Sequence, residues 1–205
     1  MTLYRNREKF SGLSVKVGIV FSKILPRPNV WTVITIIPAL LAFWSLVNEQ
    51  FLYAAVWFII AAFIDMIDGA VARVTGRATK KGAYLDTIMD RYVEAIVVFG
   101  LLFASLPNFT VPGYFSIPVY ALVFIFYFGG FMTTYAKSAA KEKELVENEL
   151  RGGLLERAER LLILFVGILL AIYNPLYLTY VIALLAVLTN ITALQRIFIA
   201  KKGAK

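Results

Sequence analysis

The chain has 205 residues, 60% of them hydrophobic, and a mean hydropathy of +0.75. That composition lacks the polar surface of a soluble globule and requires lipid as solvent. Lys and Arg number 21 against 13 Asp and Glu, for a net charge of +8, and both Cys and His are absent. These absences exclude disulfides and thiolate metal sites and leave carboxylates as the ligands and bases at hand.

At about 20 apolar residues per membrane-crossing helix, six helices and their connections nearly use up the chain. The N-terminal segment carries Arg5, Arg7 and Lys9, then a broken apolar run with Lys16 and Lys23 inside it and no small-residue cleavage site. It does not have the pattern of a cleaved signal peptide. Leu13, Val17, Val20, Phe21 and Ile24 recur at helical spacing among polar residues, which predicts an amphipathic helix lying in the membrane interface. Pro26 and Pro28 argue for a break after it.

Apolar stretches then predict spans near Val30–Val47, Phe51–Val74, Gly82–Leu106, Val111–Ala136, Leu154–Tyr173 and Leu176–Ala200. Three links are short and polar or proline-bearing: Asn48-Glu49-Gln50, Pro107 to Gly113, and Asn174-Pro175. Each is a turn between antiparallel helices. The Lys- and Glu-bearing segment from Ser138 to Arg151 fits a solvated extension of the fourth helix.

Basic residues cluster before the first span, around the second-to-third and fourth-to-fifth connections, and at the C-terminal end; Arg91 sits within the third span, and none falls in the three tight links. Cytoplasmic loops collect Lys and Arg, so this bias predicts both termini, and the connections that carry charge, on the cytoplasmic side of the cell membrane. The positive charge thus reports topology and attraction to anionic lipid, not nucleic-acid binding. The expected fold is an all-α integral membrane protein of six transmembrane helices plus an N-terminal interfacial amphipathic helix. It forms one domain over residues 1–205, with 1–27 juxtamembrane and 28–200 the bundle.

Asp65 and Asp68 lie near the cytoplasmic end of span two, Asp86 and Asp90 near the cytoplasmic start of span three. An ionised carboxylate at membrane depth costs at least a few kcal/mol and persists only with a partner, a water-filled cavity or a metal. Spacings of three and four put each pair on one face of its helix. Four converging carboxylates repel in a low dielectric, and oxygen-preferring divalent cations, Mg²⁺ or Mn²⁺, are the natural neutralisation. The competing structural reading pairs them with Arg73, Arg77 and Arg91 in a network that only locks helices. Between the pairs, Arg73, Thr75, Arg77, Thr79, Lys80 and Lys81 make a basic, hydroxyl-rich link suited to a polyphosphate. Gly69 and Gly82 allow close backbone approach.

The order Asp65-x2-Asp68-Gly69-x2-Ala72-Arg73-x8-Gly82-x3-Asp86-x3-Asp90 resembles the complete signature of the CDP-alcohol phosphotransferase family of membrane enzymes. The six-span plan and the amphipathic N-terminal helix extend the resemblance to most of the chain. It implies that an alcohol hydroxyl attacks the β-phosphorus of a CDP-linked lipid donor, CDP-diacylglycerol or CDP-archaeol, releasing CMP in phospholipid synthesis. It also implies two metal ions, one bound by Asp65, Asp68 and Asp86 and the other by Asp65, Asp86 and Asp90. Asp90 would be the general base, while Asp68, Gly69, Arg73, Thr79 and Gly82 face the CDP group. Asn29 and Thr32, in Pro28-Asn29-Val30-Trp31-Thr32, resemble a further nucleotide-side element. Homodimers are the family's expected assembly.

The fifth helix opens with Gly152-Gly153-Leu154-Leu155-Glu156-Arg157-Ala158-Glu159-Arg160. Two arginines three residues apart near a positive helix N-terminus suit a phosphate, whereas Glu156 and Arg160 also stand at ion-pair spacing. The Glu-Arg-Ala-Glu-Arg run is similar to one in phosphatidylinositol-phosphate synthases and their archaeal ether-lipid counterparts. That resemblance implies inositol 1-phosphate as the small phosphorylated acceptor, with Lys137, Arg157, Arg160 and Arg91 as ligands of its phosphate. Glu94 either lines the same cavity or pairs with Arg91. The competing acceptors are glycerol 3-phosphate, serine and a second inositol phosphate. A cation transporter is the alternative from another class, but no half-repeat of broken helices is evident.

Overall fold

The computed structural model describes residues 7–146 and 153–203. In chain order the elements are helices α1 (Arg7–Ile24), α2 (Pro28–Ile34), α3 (Ile36–Val47), α4 (Phe51–Val74) and α5 (Lys80–Leu101). Strands β1 (Phe109–Val111) and β2 (Phe115–Ile117) follow, then helices α6 (Val119–Glu142), α7 (Arg157–Ala171) and α8 (Pro175–Gly203). By their contacts these residues fall into two compact units, one from residues up to Ala42 and Val56–Val97, the other from Phe43–Ala55 and the residues from Val98 onward.

Local chemistry explains the boundaries. Pro28 occupies the first turn of α2, where a missing N–H costs nothing. Pro38 lies inside α3 and withdraws the donor that Ile34 would need, so the apolar run Pro28–Val47 is interrupted near Thr35. α3 ends in a Schellman turn, with Gln50 N–H on Ser45 O at 2.8 Å, Glu49 N–H on Leu46 O at 3.0 Å, and Glu49 at φ 57°. α4 ends the same way at Gly76, φ 65°.

In the first unit α1 lies directly on α4. A Cβ at Gly18 would stand 2.6 Å from Ala70 O, and Phe21 packs edge-on against Phe63 and Trp31. The predicted apolar stripe of α1 is therefore split. Val17 and Phe21 are partly buried, while Val20 and Ile24, together with Val15 and Ile19, are exposed. In the second unit α6 and α8 meet at small residues, with Thr189 hydroxyl donating to Phe126 O at 3.3 Å and Asn190 Nδ2 donating to Ile125 O at 2.9 Å. Gly167 brings α7 against Val181 of α8. Such close backbone approach substitutes for the hydrophobic drive that lipid removes.

Among the described residues, four segments are long and apolar enough to cross a membrane: Pro28–Val47, Phe51–Val74, Val119–Glu142 and Pro175–Lys202. Large apolar side chains such as Trp44, Phe124 and Phe198 point outward with more than 60% of their surface exposed, as expected where lipid is the solvent. This is an all-helical membrane protein with one small hairpin. Two other predicted spans differ from their sequence form. α5 has 22 residues but carries Asp86, Asp90, Arg91 and Glu94, and α7 has only 15, about 22 Å of helix.

Four boundaries need correction. The fourth predicted span, drawn from Val111, starts at Val119 because Pro112 and Gly113 form a tight turn, with Tyr114 N–H on Val111 O at 3.1 Å and Gly113 at φ 80°, between β1 and β2. The third helix stops at Leu101 instead of Leu106. The fifth starts at Arg157, its Glu156 serving as N-cap. The helical extension expected over Ser138 to Arg151 ends at Glu142, with Glu144 at φ 54°; its residues 147–151 lie outside the described ones.

Candidate active site

The three-residue step from Asp65 to Asp68 turns both carboxylates to one side of α4, and Asp86, two turns into α5, meets them. Each of the three offers an oxygen within 4.8 Å of the other two. Asp68 is buried at 6% exposure, and its Oδ2 accepts the Thr32 hydroxyl at 2.7 Å. Thr32 is itself buried on α2. Asp90, one turn further along α5 and half-buried, stands outside this trio.

Beside the trio opens a cavity of about 420 Å³ whose wall includes Asn29, Thr32, Asp68, Gly69, Arg73, Thr79, Gly82 and Asp86. The seven residues expected to face the CDP group thus share one cavity. Arg77 and Lys80 add positive charge to the same wall. Thr79 caps α5, its Oγ1 accepting the Gly82 N–H at 3.0 Å, and the hydroxyl keeps its own proton to donate. A Cβ at Gly82 would sit 3.2 Å from Asn29 Oδ1, so glycine there admits the asparagine. The guanidinium of Arg73 lies alongside Gly69, its Nη1 3.4 Å from the position a Cβ would take, an ordinary van der Waals distance.

The trio fits a divalent cation. Its ligands are all hard oxygens at converging positions, the set that Mg²⁺ and Mn²⁺ prefer, and the chain has no Cys or His to select a softer metal.

Arg91 and Glu94 form an ion pair at 2.7 Å, with Glu94 only 3% exposed. Of the two readings of Glu94, pairing is the one present. In the second unit, Lys137 lies near the end of α6, and Arg157 and Arg160 lie on the first turn of α7. Arg160 is 1% exposed, its Cζ 3.3 Å from where a Gly130 Cβ would be. The glutamates flanking them form a capping box, in which Glu159 Oε2 accepts Glu156 N–H at 3.0 Å and the Glu156 side chain accepts the Glu159 N–H. α8 holds the preceding segment, Gln195 Oε1 accepting Leu154 N–H at 2.8 Å and Thr192 Oγ1 accepting Leu155 N–H at 3.1 Å.

Sequence reasoning did not find Ser14, whose Oγ accepts from Arg73 Nη2 at 2.7 Å, or the carbonyl of Pro26, which accepts from Arg77 Nη1 at 2.9 Å. The available signal was Ser14 and Gly18 four residues apart, a small-residue face that permits close helix contact.

Such geometry belongs to a metal-dependent transferase working on a phosphorylated substrate at the membrane. Comparison with known proteins agrees. The sequence profile of the CDP-alcohol phosphatidyltransferase family matches residues 25–194. The archaetidylinositol phosphate synthase of Pyrococcus horikoshii is 30% identical over 188 residues, covering 91% of this chain and 90% of that one. That of Aeropyrum pernix is 28% identical over 181 residues, 88% and 86% of the two chains. The crystal structure of Mycobacterium tuberculosis phosphatidylinositol phosphate synthase with CDP-DAG bound superposes with a TM-score of 0.78 at 25% identity, covering 93% of this chain and 94% of that one. The same enzyme in complex with manganese and citrate also gives 0.78 at 25% identity, covering 92% and 88%.

The chain belongs to the CDP-alcohol phosphatidyltransferase family. It is a transferase that uses a CDP-linked donor, an alcohol acceptor and a divalent metal, magnesium or manganese.

Proposed function

We propose that this chain transfers the phospholipid moiety of CDP-diacylglycerol or CDP-archaeol to inositol 1-phosphate, releasing CMP. The observation that carries this reading is the shared cavity, in which Asn29, Thr32, Gly69, Arg73, Thr79 and Gly82 surround a space bordered by Asp68 and Asp86. The inositol phosphate acceptor is supported by the relatives named archaetidylinositol phosphate synthase and by the Glu156-to-Arg160 run.

In this reading Asp65, Asp68 and Asp86 hold one divalent ion and Asp65, Asp86 and Asp90 a second. When bound, the two ions neutralise the diphosphate and stabilise charge at the attacked phosphorus. Arg73, Thr79 and the Asn29 amide orient the CDP group. Asp90 takes the proton of the acceptor hydroxyl as its oxygen bonds to the β-phosphorus, and the bond from that phosphorus to the CMP oxygen breaks. Lys137, Arg157, Arg160 and Arg91 hold the acceptor phosphate, with Arg91 exchanging part of its contact with Glu94.

The same reading takes residues 1–205 as one domain with α1 in the membrane interface. Six spans, α5 and α7 among them, then cross the cell membrane with both termini and the cavity on the cytoplasmic side. The Lys and Arg bias supports this, since the tight links are free of basic residues. The carboxylates that α5 needs for chemistry explain why its hydropathy is low for a span. The chain works as a homodimer.

The deciding experiment supplies CDP-diacylglycerol and CDP-archaeol with inositol 1-phosphate, glycerol 3-phosphate, serine or free inositol and measures CMP release. Release that depends on inositol 1-phosphate supports the reading. Equal or greater release with another acceptor replaces it.

A further inference from the structure

Arg73 lines the cavity as a long, exposed side chain at the end of α4. Such a side chain carries about 2 kcal/mol of rotamer entropy, which is lost when it grips a phosphate. The structure shows what constrains it. Its Nη2 donates to Ser14 Oγ at 2.7 Å, while Nη1 lies over Gly69, so the guanidinium is held across the cavity wall.

Ser14 reaches Arg73 because α1 touches the backbone of α4. One turn further along the same face of α1, a Cβ at Gly18 would stand 2.6 Å from Ala70 O and 2.7 Å from Val74 Cγ2. Ala70 and Val74 flank Arg73 on the docked face of α4. Phe21 continues the contact against Phe63 and Trp31, and the chain beyond α1 holds Arg77 through Pro26 O at 2.9 Å. The helix that the sequence marks only as amphipathic therefore contacts Arg73, and the segment just after it contacts Arg77.

We propose that α1 is a positioning element of the CDP site, with Ser14 setting the Arg73 guanidinium for the diphosphate and Gly18 seating the helix that carries Ser14. This rests on the reading of the cavity as the CDP site. An exposed hydrogen bond of this kind adds little to fold stability, so its effect falls on ligand binding.

The test measures binding of CDP, with Mn²⁺ present, to the full chain in detergent, alongside kinetics of CMP release. Ser14→Ala raises the Kd for CDP and the KM for the CDP-lipid about three- to tenfold, the scale of one ordinary exposed hydrogen bond that acts by positioning, while the acceptor KM and the thermal unfolding midpoint hold. Ser14→Thr, which keeps the hydroxyl, restores CDP affinity. Gly18→Leu, which lifts α1 from α4, reproduces the loss, and adding Ser14→Ala to it costs nothing more. Wild-type CDP affinity in Ser14→Ala, or an equal loss in Ser14→Thr, overturns the proposal. If the wild-type chain itself does not bind CDP, the cavity assignment fails and the proposal with it. That result is distinct from wild-type binding that Ser14→Ala leaves intact.

Discussion

Thr32 on α2 donates its hydroxyl to Oδ2 of Asp68 on α4 at 2.7 Å, joining residues 36 positions apart, and both are buried. The bond fixes one carboxylate of the trio while leaving its other oxygen to a cation. Thr32→Val keeps the shape and removes the donor. A hydrogen bond to a charged group is worth about 1.5–3 kcal/mol, so the Mn²⁺ concentration for half-maximal turnover rises about tenfold or more, measured by metal titration of CMP release.

The trio itself is tested by charge removal. Asp65→Asn and Asp86→Asn abolish turnover and weaken Mn²⁺ binding measured calorimetrically, because each is assigned to both ions. Near-normal activity in either variant sinks the two-metal reading.

Asp90 stands apart from the trio, and a different outcome follows. Asp90→Asn loses most of kcat while binding of the CDP-lipid persists, since the first ion keeps Asp65, Asp68 and Asp86. A parallel loss of donor binding makes Asp90 chiefly a metal ligand.

On α7, Arg157→Ala and Arg160→Ala each remove a charge-assisted contact, with a cost of about 1.5–3 kcal/mol in acceptor binding. The KM for inositol 1-phosphate rises at least about tenfold while that for the CDP-lipid barely moves. Gly130→Ala supplies a gentler probe, because its Cβ at 3.3 Å from Arg160 Cζ displaces the guanidinium without deleting it. Its acceptor KM also rises. Unchanged acceptor constants in all three variants separate these arginines from the acceptor.

Glu49 closes the turn between α3 and α4 in the left-handed region, φ 57°. A side chain there costs about 1 kcal/mol relative to glycine. Glu49→Gly therefore raises the midpoint of thermal unfolding in detergent and leaves turnover unchanged.

Much of this protein is legible one residue at a time. Apolar runs locate α3, α4, α6 and α8 because a lipid-facing helix must be apolar over its whole length. The signature from Asp65 to Asp90 locates the site because its spacings are helical and its carboxylates are costly at membrane depth without a function. Pro112-Gly113 showed how a strong turn signal can be overrun. Val111, Phe115 and Ile117 are apolar enough to pass as the start of a span, although they pair across a hairpin.

What only the tertiary structure decided lies in contacts between distant segments. Glu156 and Glu159 carry the right spacing to pair with arginines, yet they also accept backbone amides at the start of α7, because a helix N-terminus leaves donors that must be satisfied. Arg91 and Glu94 had two readings, and burial of Glu94 at 3% exposure required a partner at hand. Ser14 and Arg73 are 59 residues apart, and no periodicity in either helix announces their bond. It exists because Gly18 lets one backbone rest on another, a matter of packing distance that a one-dimensional pattern does not contain.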